Sequence, residues 1–137
     1  MFILFINDLP QAIRCGSINM YADDTTLYTA AKTIEETIDM LRTDAQSTLD
    51  WYKRSWLIVN LRKTHFMLLG RKHRRKEVDE EKRVLHNTEF QPEKIVTHLG
   101  VTLDDQLKWQ EHIQKLRGKC FSGLARLKIV EETYPWM

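Results

Sequence analysis

Cysteine is scarce in this sequence: Cys15 and Cys120 lie far apart and in no CxxC pair, which argues against a disulfide framework and against a zinc site. Both are read as reduced. Long apolar runs are also missing. No stretch approaches the length of a bilayer span, so no membrane is expected to take part. The apolar start, Met1 to Ile6, has no basic residue ahead of it and runs straight into Asn7 and Asp8, a poor match to a signal peptide. An intracellular location, nucleus or cytoplasm, is the expectation. There is no internal repeat and no low-complexity linker.

At 137 residues the chain can bury one core, which implies a small single domain with room for an appended helical lobe. Hydrophobic residues make up 42% and charged residues 29%, a balance that argues against intrinsic disorder. The net charge of +2 is uninformative as a total, but residues 51 to 76 hold nine Lys or Arg and no Asp or Glu. Such a block suits a polyanion partner, or a solvated basic loop.

Periodicity organises the rest. Phe2, Phe5, Ile6 and Leu9 fall at helical spacing before Pro10, so residues 2 to 13 read as the end of a buried helix. That helix starts apolar and uncapped, which suggests that the chain begins inside an element. Two β-prone runs, Gly16 to Tyr21 and Thr25 to Thr29, flank Ala22-Asp23-Asp24 and predict a hairpin. Thr33 and Glu36 form a capping box, and Ile34, Ile38, Leu41, Ala45, Leu49, Tyr52 and Trp56 then recur at steps of four and three. This predicts an amphipathic helix over 33 to 54. His65 to Leu69 reads as a short strand ended by Gly70, residues 71 to 76 as an exposed turn, and residues 83 to 103 as two or three strands. Trp109, Ile113, Leu116, Cys120, Leu124 and Leu127 predict a second amphipathic helix over 105 to 130.

Tyr21-Ala22-Asp23-Asp24 at a hairpin tip is the most informative cluster. Adjacent carboxylates repel unless a cation offsets them, and Mg²⁺ suits all-oxygen ligands. An Asp-Asp pair is also ordinary turn chemistry, so the tetrapeptide alone decides little. On the last helix Lys108, Lys115, Lys119 and Arg126 step by seven, four and seven, forming a basic stripe opposite the apolar one. Solvation of a helix face explains that stripe almost as well as phosphate binding does. Trp109 and His112 read as structural, because the Trp is core-facing and the His has no second ligand at metal spacing.

Four blocks in order carry a resemblance: Phe2 to Pro10 with its Ile-Asn-Asp-Leu-Pro ending; Met20 to Thr25 around YADD; Trp51-Tyr52 with Asn60-Leu-Arg-Lys63-Thr64; and Leu99 to Asp104 running on to Leu107, Trp109, His112 and Ile113. Together they resemble the reverse transcriptase (RNA-directed DNA polymerase, a nucleotidyltransferase) of a non-LTR, LINE-type retrotransposon. The resemblance implies an α+β fold: a partial palm over 1–104, a small antiparallel sheet with packed helices holding the end of the motif B helix, the YADD hairpin, motif D and the primer-grip region, followed by the start of a helical thumb over 105–137. It implies two-metal nucleotidyl transfer with Mg²⁺, or Mn²⁺, on an RNA template and a DNA primer in the complete enzyme. Asp23 would be the main metal ligand and Asp24 would assist. Tyr21 and Ala22 would line the nucleotide and template side, and Lys63 would donate a proton to departing pyrophosphate. Leu99 and Gly100 would form the primer grip, while Lys108, Lys115, Lys119 and Arg126 would contact duplex phosphates. Lys63 also reads as a plain surface lysine, and Gly100 as a β-bulge.

The sequence departs from that family in lacking the motif A aspartate, the Gln-Gly loop that opens the motif B helix, and the fingers. A complete palm takes a third carboxylate from an upstream strand, and of the 22 residues before Asp23 only Asp8 is acidic. The fragment is therefore expected to be inactive alone, with an exposed apolar N-terminal face through which it could associate. A non-catalytic nucleic-acid-binding module and a decayed transposon remnant are the competing readings.

Overall fold

The computed structural model describes residues 2–70, 83–85 and 88–133 and has the α+β class expected. It divides into two compact units, Met1–Thr64 with Lys76–Gln91, and His65–Arg75 with Pro92–Met137.

In the first unit the predicted first helix is broken. A short α1 (Phe2–Phe5) gives way to a 3-10 turn over Leu9–Ala12 with Pro10 near its start. Proline fits there because its missing N–H would have no partner anyway. The β-hairpin follows, β1 (Ser17–Tyr21) pairing antiparallel with β2 (Asp24–Tyr28) in register from Ser17 opposite Tyr28 to Tyr21 opposite Asp24. Then comes α2 (Ile34–Arg54), within a residue of its predicted span. The Thr33 hydroxyl accepts a hydrogen bond from the Glu36 N–H at 3.2 Å, while Glu35 and Glu36 at one end and Lys53 and Arg54 at the other suit the helix dipole.

Trp56 does not continue the apolar face of α2, as its spacing predicted, and is 94% exposed. The helix has already ended in a Schellman motif: the Leu57 N–H donates to Tyr52 O and the Trp56 N–H to Lys53 O, with Trp56 itself left-handed at φ 57°. Leu57 is thereby turned back onto the core. That core is small. Ile6, Leu9 and Trp51 form its buried centre, with Ala12, Ile18, Met20, Tyr52 and Leu57 packed around it. The exposed N-terminal face is realised in part: Leu4 is 81% and Phe5 53% exposed, but Ile6, only 3% exposed, belongs to the core. A second hairpin, β3 (Arg83–Leu85) with β4 (Thr88–Phe90), completes this unit.

The second unit holds a third hairpin, β5 (Ile95–His98) with β6 (Val101–Asp104), and a long helix, α3 (Gln110–Thr133). Four short strands thus stand where two or three were expected. The strand expected at 65–69 does not form. That segment is joined to its neighbours by isolated bonds, Glu93 N–H to Phe66 O and Gly70 N–H to Asp105 O, and single bonds do not make a ladder. The turn expected at 71–76 lies outside the described residues.

The helix expected from 105 starts instead at Gln110, and Asp104 is the reason. Its carboxylate accepts from the backbone N–H groups of Gln106, Lys108 and Trp109, at 3.0, 3.0 and 2.7 Å, and so claims the donors of a non-helical turn. These three bonds hold the Asp104 carboxyl below its ordinary pKa, that from Lys108 contributing most. Leu107 and Trp109 are left-handed in this turn. Beyond it, Ile113, Leu116, Phe121, Leu124 and Leu127 line α3 as exposed apolar side chains, not as a buried face.

Candidate functional site

The five-residue strands of the first hairpin have two faces. Ile18 and Met20 pack toward the core, and their cross-strand partners Leu27 and Thr25 share that side. Tyr21 and Asp24 therefore stand together on the outward face, with Asn19 opposite Thr26 behind them. Between Tyr21 and Asp24 the chain reverses in only two residues, Ala22 and Asp23. Ala22 has φ 53° while Asp23 is not left-handed, the pattern of a type II′ turn, whose first position favours glycine. An alanine there carries strain of roughly 1 kcal/mol. Asp23 and Asp24 are exposed, and neither carboxylate has a hydrogen-bond or ion-pair partner among the described residues. Two adjacent unpaired carboxylates, one in a tight turn and one at the strand start, form a local negative site that a divalent cation would stabilise.

Sequence periodicity does not reveal how the hairpin is mounted. Asp44, buried on α2, accepts from the backbone N–H groups of Arg14 (2.9 Å), Cys15 (3.1 Å) and Gly16 (2.6 Å), fixing the chain as it enters β1. Gly16 is required: a Cβ there would sit 2.5 Å from the Tyr28 carbonyl oxygen. Nearer the tip, the Tyr52 hydroxyl lies 2.9 Å from Thr25 Oγ1. Trp51 Nε1 donates to Asp8 Oδ2 at 3.3 Å, so Asp8 serves the core. An open cleft of about 750 Å³, lined by Asp8, Arg14, Trp51, Arg54 and their neighbours, does not include the acidic turn.

Lys63 closes a 3-10 turn, Leu61–Lys63. The surrounding Asn-x-x-Lys-Thr pattern has a direct explanation: the Asn60 side chain accepts from the Arg62 N–H at 3.1 Å, and the Thr64 hydroxyl donates to Asn60 O at 3.1 Å. Asn60 and Thr64 staple the turn, and Lys63 projects as an exposed cation without an ion-pair partner among the described residues.

The remaining candidates belong to the second unit. Leu99 and Gly100, with φ 48° and 81°, are the two loop residues between His98 and Val101, so Gly100 sits in a type I′ turn and not in a bulge. Lys108 lies in the Asp104 turn, ahead of the helix, and so is not on the helical stripe. Lys115 Nζ donates to Thr102 Oγ1 at 3.0 Å, and Thr102 N–H donates to His112 Nδ1 at 3.3 Å, so both side chains fasten α3 to β6. Lys119 and Arg126 remain exposed along the helix.

Among the described residues no group of three or more His, Cys, Asp or Glu is placed to hold a metal ion, and no helix is long and apolar enough to cross a membrane. A family model described as reverse transcriptase (RNA-dependent DNA polymerase) matches residues 1–103. No curated protein and no solved structure matches the chain.

Proposed function

The chain belongs to the reverse transcriptase (RNA-dependent DNA polymerase) family, and on that premise we propose that Asp23 and Asp24 are metal ligands of its nucleotidyl-transfer site. The observation that carries this reading is the pair of exposed carboxylates, without a partner among the described residues, at the tip of a hairpin fastened to α2. Such a turn offers oxygen ligands alone, which fits Mg²⁺, with Mn²⁺ as a substitute. When bound, the ions would polarise the attacking 3′-hydroxyl and neutralise the departing pyrophosphate.

The chain's own residues then take distinct parts. Asp23, in the turn, is the principal ligand and Asp24, outward on β2, assists. Tyr21, beside Asp24 on that face, and Ala22 line the nucleotide and template side. Lys63, presented by its stapled turn, supplies a proton and positive charge to pyrophosphate. In the second unit the Leu99-Gly100 turn bears on the primer strand, a left-handed glycine allowing close backbone approach. Lys108, Lys115, Lys119 and Arg126 contact phosphates, with Lys115 also tethered to Thr102. In this reading residues 1–104 are part of a palm and 105–137 the start of a thumb, from a non-LTR retrotransposon, with RNA template and DNA primer as partners of the complete enzyme.

Mn²⁺ titration of the 137-residue chain, followed by paramagnetic broadening of its amide NMR signals, tests the metal assignment. Broadening should centre on Ala22 to Asp24 and vanish in Asp23→Asn. Uniform broadening unaffected by Asp23→Asn would remove the assignment.

A further inference from the structure

Two polar side chains of α2, Asp44 and Tyr52, mount the acidic hairpin, and one of them has no obvious reason to be polar. Asp44 at the base satisfies three backbone N–H groups that would otherwise lack partners, which accounts for its burial. Tyr52 is different. Its ring packs against the core cluster and meets the Trp51 ring edge-on, with centroids 5.5 Å apart and planes at 79°. A phenylalanine would fill the same space and make the same ring contact. What the hydroxyl adds is one 2.9 Å hydrogen bond, to the side chain of Thr25.

Thr25 is the residue directly after Asp24 and the cross-strand partner of Met20. Because successive side chains of a strand point to opposite faces, tying Thr25 to α2 on the inner side fixes the direction in which Asp24 leaves the outer side. The two residues before Asp24 are the strained turn, where Ala22 sits at φ 53°. A turn held in a sparsely populated conformation persists only when the structure on its flanks determines it. Trp51, which the Tyr52 ring meets edge-on, is itself firmly held, since its indole is buried and bonded to Asp8.

We infer that Tyr52 is a positioning residue for the acidic turn, acting through Thr25 to hold Asp23 and Asp24 in one cation-ready arrangement. This rests on the reading of those carboxylates as metal ligands. The bond is a single neutral one, so its loss should be felt as a several-fold effect and not as abolition.

The test uses Tyr52→Phe, Thr25→Val, their double variant and Thr25→Ser in the 137-residue chain, with Mn²⁺ as the probe and thermal unfolding recorded alongside. Tyr52→Phe and Thr25→Val should each raise the Mn²⁺ dissociation constant about threefold to tenfold. The double variant should be no weaker than either single one, and Thr25→Ser, which keeps a hydroxyl, should bind as the native chain does. Amide exchange at Met20 and Thr25 reads the hairpin independently. Faster exchange in Tyr52→Phe with unchanged Mn²⁺ affinity would make the bond purely structural and overturn the positioning role. If Asp23→Asn abolishes Mn²⁺ binding while Tyr52→Phe leaves it untouched, this inference fails and the metal assignment stands. If Asp23→Asn changes nothing, the metal assignment fails and the positioning role falls with it.

Discussion

The Asp44 carboxylate on α2 accepts a hydrogen bond of 2.6 Å from the backbone N–H of Gly16, at the mouth of the hairpin that carries Asp23 and Asp24. Helix and hairpin are therefore one mechanical piece.

Asp44→Ala should be the most damaging single change in the first unit. It takes a charged acceptor from the part-buried N–H groups of Arg14, Cys15 and Gly16, and a hydrogen bond to a charged group contributes about 1.5–3 kcal/mol. A loss of about 3 kcal/mol or more is expected, measured as a lower denaturant midpoint with unchanged slope. Asp44→Asn, which keeps one acceptor oxygen, should lose less. Gly16→Ala should be comparably severe, because its Cβ would meet backbone at 2.5 Å and backbone cannot swing aside.

Asp44 also marks the limit of what the sequence made legible. The span of α2 could be read because its signals are local: a Thr33 cap and apolar residues at steps of four and three. That same periodicity placed Ile38 and Leu49 on the inner face, where both are buried, with Ala45 half-buried beside them, but it passed over Asp44, Thr48 and Trp51, which are buried too. A polar residue earns no place in an apolar pattern, and its burial makes sense only once the loop at 14–16 delivers three N–H groups to it. The start of α3 lies later than its periodicity predicts for a related reason. Three donors of the turn at 106–109 go to the Asp104 side chain, a choice set by the loop's geometry. The acidic turn was legible as a motif, while its mounting by Tyr52 and Thr25 spans 27 positions in sequence and left no periodic trace.

Two non-glycine residues occupy positions that favour glycine, Ala22 in the II′ turn and Trp56 in the Schellman motif. Substituting glycine at either removes a left-handed penalty of roughly 1–2 kcal/mol and adds back part of it as unfolded-chain entropy. Ala22→Gly and Trp56→Gly should each stabilise the chain by roughly 0.5–1 kcal/mol, read from chemical denaturation. For Ala22 the gain should come with looser Mn²⁺ binding, if strain at the turn keeps the carboxylates together. A stability loss at Ala22 would mean that its methyl makes a contact worth more than the strain.

The Asp104 turn makes the second unit sensitive to acid. Its carboxyl titrates below the ordinary value of 3.8, chiefly because it accepts from the Lys108 N–H. A folded-state pKa below the unfolded one means stability that is fully present above the unfolded value. That contribution is lost as pH falls from about 3.8 through the lowered folded value. Helical circular dichroism should therefore show an acid-induced loss in that window, and Asp104→Asn should remove much of the pH dependence while weakening the start of α3 at neutral pH. An identical acid profile in Asp104→Asn would assign the transition to other carboxylates.

The 137-residue chain should not extend a primer, even though its family is a polymerase one. Two-metal transfer needs ligands on both sides of the ion pair, and among the described residues no third carboxylate, histidine or cysteine joins Asp23 and Asp24 to complete a site. Mg²⁺ gives up its waters reluctantly, and only where several oxygens are preset around it, so a two-carboxylate turn should bind it weakly. Positioning carries much of the rate as well, and a hairpin with one outward face aligns neither nucleotide nor primer terminus for in-line attack. Incubation with primed RNA and DNA templates, nucleotides and Mg²⁺ or Mn²⁺ should leave the primer unextended in both metals. Extension that disappears in Asp23→Asn would overturn this prediction, and mixing that variant with a Lys63→Ala chain would then restore activity only if two copies of the chain complement each other.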